Sequence, residues 1–153
     1  MFRLFTIVAC LVFPLFLGCG QGAKFGTDYV EGIVTLDGVP LADASVSFSP
    51  KDAGMGKFAN GRTDSSGHYT LTAQQGGGQG KGTTPGEYIV LVTKFEQVKL
   101  DTPRKNLGGG PPITTETVNK LPKAYNDVNA AKLTATVAAG KNKLDFDLKS
   151  NEK

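Results

Sequence analysis

A chain of 153 residues with 20 Gly, 8 Pro, one His and no Trp is long enough for one domain with a core of its own. Its 17 basic and 14 acidic residues leave a net charge of +3. No Lys/Arg stripe is interleaved with aromatics, which excludes nucleic acid as a partner. Val, Thr, Tyr and Phe fall in short runs separated by Gly, Pro, Asp and Asn. After the N-terminal segment no apolar period of 3.6 residues persists, so the expectation is an all-β fold with little or no helix.

The first segment reads as an address. Arg3 supplies a positive charge, Leu4 to Leu17 is an uncharged apolar run of 14 residues, and Gly18-Cys19 follow. The run is short for a membrane span, contains Pro14, and suits the apolar region of a signal peptide. Phe16-Leu17-Gly18-Cys19 resembles a bacterial lipobox, with Phe16 and Leu17 bulkier than the family's Leu followed by a small residue. The resemblance implies cleavage after Gly18 and a lipid on Cys19. An unlipidated secretion signal cut after Gly18 or Gly22 and an uncleaved membrane anchor are the alternatives. Cys10 would leave with the signal, so Cys19 would be the only Cys remaining and no internal disulfide could form. Loss of Arg3 leaves 16 basic against 14 acidic residues, a balance of +2. Gly20, where an Asp would favour inner-membrane retention, points to the outer membrane. Residues 1–18 are therefore expected to be signal peptide, 19–27 a Gly-rich flexible tether, and 28–149 the domain.

Strands are expected over 30–36, 44–49, 58–63, 68–72, 87–93, 132–137 and 142–149. In 44–49 Ala44, Val46 and Phe48 alternate with serines, a period of two that puts them in the core. Tyr69 and Leu71 point inward by the same rule, and His68, Thr70 and Thr72 outward. Residues 87–93, EYIVLVT, are apolar on both faces, as a central strand would be. Turns fall at Asp37-Gly38-Val39-Pro40, at Asp64-Ser65-Ser66-Gly67 and at Pro85-Gly86. The Gly-rich stretch 74–84 reads as a flexible loop. Residues 95–123, with three Pro-bearing breaks and no pattern, read as a mobile, irregular crossover loop. Leu133, Ala135 and Val137, then Leu144, Phe146 and Leu148, alternate strictly around Ala139-Gly140-Lys141, which predicts a hairpin. About seven strands at roughly 8–12-residue spacing favour a Greek-key β-sandwich.

Four segments in order carry a family resemblance: Val30-Glu31-Gly32-Ile33-Val34; Asp37-Gly38-Val39-Pro40-Leu41 running into Ala44-Ser45-Val46-Ser47-Phe48; Thr63-Asp64-Ser65-Ser66-Gly67-His68-Tyr69; and Pro85-Gly86-Glu87-Tyr88. Over residues 30–93 the chain resembles the carboxypeptidase regulatory-like, or transthyretin-like (prealbumin-like), β-sandwich. Leu121-Pro122-Lys123-Ala124-Tyr125-Asn126 and the final strands look like the ending of short bacterial lipoproteins that carry this domain. The resemblance implies that Gly38, Pro40, Asp64, Gly67, Tyr69, Pro85, Gly86 and Tyr88 build turns and core, and that the domain serves as a stalk, accessory module or binding scaffold.

Catalytic chemistry is not legible. His68 stands alone, without a nucleophile around it. One His and one Cys are too few for a zinc site. Asp37, Asp43, Asp64 and Asp127 lie in predicted loops where a calcium ion would need them to converge, but each suits the capping of its own turn. Asp145 and Asp147 share the wet face of one strand. Residues 30–36 hold no Lys for an isopeptide crosslink, and GGGQGKG lacks the spacing of a phosphate-binding loop. The expectation is a non-enzymatic, monomeric envelope protein without cofactor or metal, held to the membrane by its N-terminal lipid, with an envelope protein or polysaccharide as partner. A small-ligand or carbohydrate-binding protein using the 74–84 and 95–123 segments is one alternative; an enzyme of unfamiliar type is the other.

Overall fold

The computed structural model describes residues 26–52, 54–75 and 78–152. Most of the described residues are in strands, and among them there is one short helix. In order these are β1 (Tyr29–Leu36), β2 (Val39–Pro40), β3 (Ser45–Pro50), β4 (Ala59–Arg62), β5 (His68–Thr70), β6 (Thr72–Gln75), β7 (Gly78–Lys81), β8 (Gly86–Thr93), β9 (Phe95–Arg104), β10 (Ile113–Asn119), α1 (Lys123–Asn126), β11 (Leu133–Val137), β12 (Lys141–Lys143) and β13 (Phe146–Leu148). The all-β expectation holds. Cys19, the signal peptide and all of the tether before Gly26 lie outside the described residues.

Two sheets close over one core. In the first, β1 is central: β5 and β2 pair with it antiparallel, while β12 and β13 pair with it parallel. The second sheet runs β11-β8-β3-β4-β6-β7 and is antiparallel throughout. The period-two residues meet as expected: Val46 and Phe48 from β3, Tyr88, Val90 and Val92 from β8, Val30 and Val34 from β1, and Tyr69, Leu71, Phe146 and Leu148 are all buried together. Leu133, Ala135 and Leu144 pack partly buried against them. A chain of rings crosses between the sheets. Tyr88 lies 5.7 Å from Phe48, Phe48 meets Phe146 edge-on at 6.1 Å, and Phe146 stacks with Tyr69 at 6.3 Å, within the range where aromatic pairs attract beyond their burial.

Three expectations need correction. Strands 132–137 and 142–149 do not form a hairpin. Val137 pairs with Gly86 in the second sheet and Lys141 with Tyr29 in the first, so Ala138–Gly140 carry the chain from one layer to the other. Side chains, not a ladder, satisfy that corner: Asn142 Oδ1 accepts from the Ala138 N–H (2.9 Å), Asn142 Nδ2 donates to the Ala138 carbonyl (2.9 Å), and Asp28 Oδ1 accepts from the Gly140 N–H (2.5 Å). The 74–84 segment is not simply a loop, because Gln74 and Gln75 belong to β6 and Gly78–Lys81 to its edge partner β7. Glycines give no alternation to read, yet their backbone groups pair as well as any. The 95–123 segment is not irregular either. β9 and β10 form an antiparallel ribbon whose strands pair with each other alone. Both its faces are wet, which erases the apolar period.

The last two strands are one edge with a fault in it. β12 and β13 share one register on β1, Tyr29 with Lys141 and Val34 with Phe146. Between them the Leu144 N–H still donates to the Glu31 carbonyl (2.8 Å). The Leu144 carbonyl, however, turns inward and accepts from the Tyr69 hydroxyl (2.7 Å). The Ile33 N–H, next along the ladder, donates instead to Asp145 Oδ1 (2.8 Å). Gly32 makes room for the turned carbonyl: a Cβ there would overlap the Leu144 oxygen and stand 2.9 Å from the Tyr69 ring. Gly32→Ala should therefore cost about 1–3 kcal/mol, as overpacking does, measured by urea unfolding. Tyr69→Phe, which orphans the carbonyl, should cost about 1–3 kcal/mol.

Burial also pushes the Tyr69 phenol above its ordinary value, and the Asp145 carboxylate adds to the shift. A phenol that resists ionisation in the folded state contributes stability that is complete below the unfolded pKa of about 10 and lost as pH rises beyond it. Unfolding midpoints measured from neutral to strongly alkaline pH should fall more steeply for the wild type than for Tyr69→Phe.

Candidate functional site

The turn residues named from the sequence fall at two opposite ends of the domain. Asp37 and Gly38 both take positive φ, 52° and 82°, and link Leu36 to Val39 as a two-residue hairpin loop, the primed geometry that matches strand twist. Gly67 lies against this hairpin, since the Val34 N–H donates to its carbonyl (2.9 Å) and Pro40 Cα is close by. Asp64 Oδ1 accepts from the Ser66 N–H (2.8 Å), the Ser66 hydroxyl (2.7 Å) and the His68 N–H (3.1 Å). The Ser66 hydroxyl, and then its N–H, hold the Asp64 carboxyl below the usual carboxylate value. So Gly38, Pro40, Asp64 and Gly67 form one packed pair of turns at the end where β1 finishes, and Tyr69 runs from them into the core.

At the other end, Pro85 and Gly86 open β8 and Tyr88 is fully buried. The Tyr88 hydroxyl donates to the Thr84 carbonyl (2.7 Å), lies 3.1 Å from the Thr83 hydroxyl, and accepts from the Lys57 N–H (3.3 Å). It pins the 54–57 loop onto the 83–86 turn. A shallow, open depression of about 450 Å³ lies between Gly54–Lys57 and Thr84–Pro85. These eight residues thus serve turns and core, and none lines a deep cleft.

The chemistry-bearing side chains are on the outer face of the first sheet. Glu31 Oε2 lies 3.3 Å from His68 Nε2 and accepts from the Tyr29 hydroxyl (3.0 Å). His68 points outward as expected, and it and Glu31 are each about 40% exposed. Asp145 is committed to Ile33, and Asp147 to the Thr35 hydroxyl (2.8 Å) and Lys149 (2.6 Å). Asp37 accepts from the Ser150 N–H (3.1 Å), Asp43 pairs with Arg62 (3.1 Å), and Asp127 accepts from the Asn129 N–H (2.9 Å). The four loop aspartates therefore do not converge, but only Asp64 and Asp127 cap their own turns; Asp37 instead holds the end of the last strand and Asp43 an arginine of β4. Among the described residues no three His, Cys, Asp or Glu side chains gather as a metal would need.

The element that sequence reasoning missed is the β9–β10 ribbon. It leaves the domain at the end that carries Asp37, directly after Thr93. Asn119 roots it: its Oδ1 accepts from the Lys94 N–H (3.1 Å) and the Leu121 N–H (3.2 Å), and the Lys120 N–H donates to the Lys94 carbonyl (2.9 Å). Glu96 lies 3.7 Å from both Lys94 and Lys120, and Arg104 pairs with Glu116 (3.0 Å). Beyond this root nearly all of it is exposed, including Phe95, Val98, Ile113 and, at the tip, Leu107 at 95%. The register shifts between Ile113 and Thr115. A lone two-stranded ribbon is marginal in water, and each strand offers one unpaired backbone edge. β9 contains Pro103, whereas β10 (ITTETVN), with its free edge, is Pro-free and rich in strand formers. That edge and its apolar side chains make the ribbon the candidate contact site.

No family model, curated protein or solved structure matches the chain. Because the ribbon contributes nothing to the core, replacing Gln97–Thr117 by a short Gly-rich turn should leave unfolding free energy within about 1 kcal/mol of the full chain, by urea titration.

Proposed function

We propose that this is a non-enzymatic, lipid-anchored envelope protein, acylated on Cys19, whose domain is a transthyretin-like, carboxypeptidase regulatory-like Greek-key sandwich and whose β9–β10 ribbon contacts an envelope partner. The observation that carries it is the opposition of the two ends. The described chain begins beside Thr83 and Gly140, where Asp28 is held. The ribbon leaves from the other end of β8, roughly 26 Å away at the rise of eight strand residues. A chain tethered through its N-terminus would present the ribbon away from the bilayer. The family reading is supported by two sheets over one core and by the placement of the motif turns in pairs at the strand ends.

A partner strand added to the β10 edge would satisfy its open N–H and C=O groups, and Phe95, Val98 and Ile113 would supply apolar contact. The sugar-binding alternative draws less support. Among the described residues the exposed aromatics are Phe58 and Phe95, which lie at opposite ends and cannot form one stacking platform.

Two measurements test the proposal. The wild type should fractionate with membranes and carry the added mass of acyl chains, and Cys19→Ala should lose both; a soluble wild type of unmodified mass ends the anchor. A photo-crosslinking residue at Thr115 should give discrete adducts in intact envelopes, whereas one at Lys143 on the outer sheet face should give none. Equal labelling at both positions rules out the ribbon as the contact.

A further inference from the structure

The end of the domain where the described chain begins carries an exposed feature that the core does not use. Residues 54–58 lie there with Met55 at 69% and Phe58 at 54% exposure. They are not a stray loop. The Tyr88 hydroxyl accepts from the Lys57 N–H, and the Thr83 hydroxyl donates to the Lys57 carbonyl (2.6 Å). Thr83 is itself bridged to Asp28, whose N–H donates to the Thr83 carbonyl (2.7 Å). The first described residues and the apolar loop are thus tied to one threonine.

Charge at this end is biased. Lys51, Lys57, Lys81 and Lys141 stand around it against Asp28, Asp52 and Glu87. Glu87 and Lys51 pair with each other (3.1 Å) and Asp28 accepts from the Gly140 N–H, which leaves an excess of one positive charge at this end. The opposite end carries Asp37, Asp43, Asp64 and Asp147, of which Asp43 and Asp147 are paired with Arg62 and Lys149.

We infer that this end is a lipid-contacting face: Met55 and Phe58 dip into the headgroup region of the bilayer that holds the anchor, with the lysines over anionic headgroups. The inference rests on the lipid anchor at Cys19. Only seven residues lie between Cys19 and Thr27, a reach over the eight steps of at most about 29 Å at full extension. Two apolar side chains and a slight positive excess bind a membrane weakly by themselves. Held within a short tether, they act at the high effective concentration of an intramolecular contact. Contact at this face would hold the domain upright with the ribbon outward.

The test uses the full chain, purified from membranes and reconstituted into vesicles of phosphatidylethanolamine and phosphatidylglycerol. Nitroxide labels are placed at Met55→Cys, at Phe58→Cys and, as reference, at Leu107→Cys on the ribbon tip; all three sites are exposed, so the substitutions leave the core alone. Labels at 55 and 58 should show a several-fold higher ratio of collisions with oxygen to collisions with a water-soluble nickel complex than the label at 107. A chain that floats with the vesicles while all three labels are equally aqueous overturns the inference and leaves the anchor standing. A chain that does not float overturns both. Spin–spin broadening between labels at 55 or 58, showing a second copy seated on the face, overturns the inference as well.

Discussion

One inward-turned carbonyl governs how this chain closes. The Leu144 carbonyl gives up its place in the parallel ladder and accepts from the Tyr69 hydroxyl, and Asp145 lends a side-chain oxygen to the Ile33 N–H left behind. The exchange keeps the Leu144 carbonyl and the Ile33 N–H paired while β12 gives way to β13 along β1. It demands three residues at once: a glycine at 32 for space, a tyrosine at 69 for the hydroxyl, and an acid at 145 for the substitute acceptor. From the fixed edge, Phe146 reaches Phe48 on the facing sheet, and Phe48 reaches Tyr88. The two layers are joined through that row of rings, and buried polar atoms along it stay satisfied, as a dry interior requires.

Alternation made much of this legible. Val46, Phe48, Tyr69, Leu71, Val90 and Phe146 are where a period of two puts them, because each strand that touches the core has one dry face. The turn chemistry was legible too: Asp37-Gly38 supplies the positive φ values of a two-residue loop, and Asp64 binds the N–H groups of its own turn. What was hidden lacks a dry face. The β9–β10 ribbon is wet on both sides, and β7 is built largely of glycine, so neither writes a pattern into the chain. The supposed hairpin around Gly140 fails for another reason. A local Gly signals a change of direction but not which layer the next strand joins, and that choice is made by Asp28, Asn142 and the turned carbonyl, over a separation of about 112 residues for Asp28.

The side chains singled out from the sequence as possible chemistry turn out to be occupied. Asp145 and Asp147 do not stand as an open acidic pair, because one caps a backbone N–H and the other holds Thr35 and Lys149. His68 has Glu31 beside it and open water beyond. What the scaffold offers in surplus is shape: a loop of exposed Met and Phe at one end and a long paired arm at the other. Both are features of contact surfaces.

The parallel closure also sets a timetable. β1 is among the first described segments to emerge, yet one whole edge of it stays open until residues 141–148 arrive. Contacts so distant in sequence form slowly. A nascent chain cut short before residue 141 cannot seal its first sheet, however well β3 and β8 have paired. The domain therefore completes itself only when synthesis has passed its final strands, and a truncated product would be left with a raw flank for quality-control proteases to find.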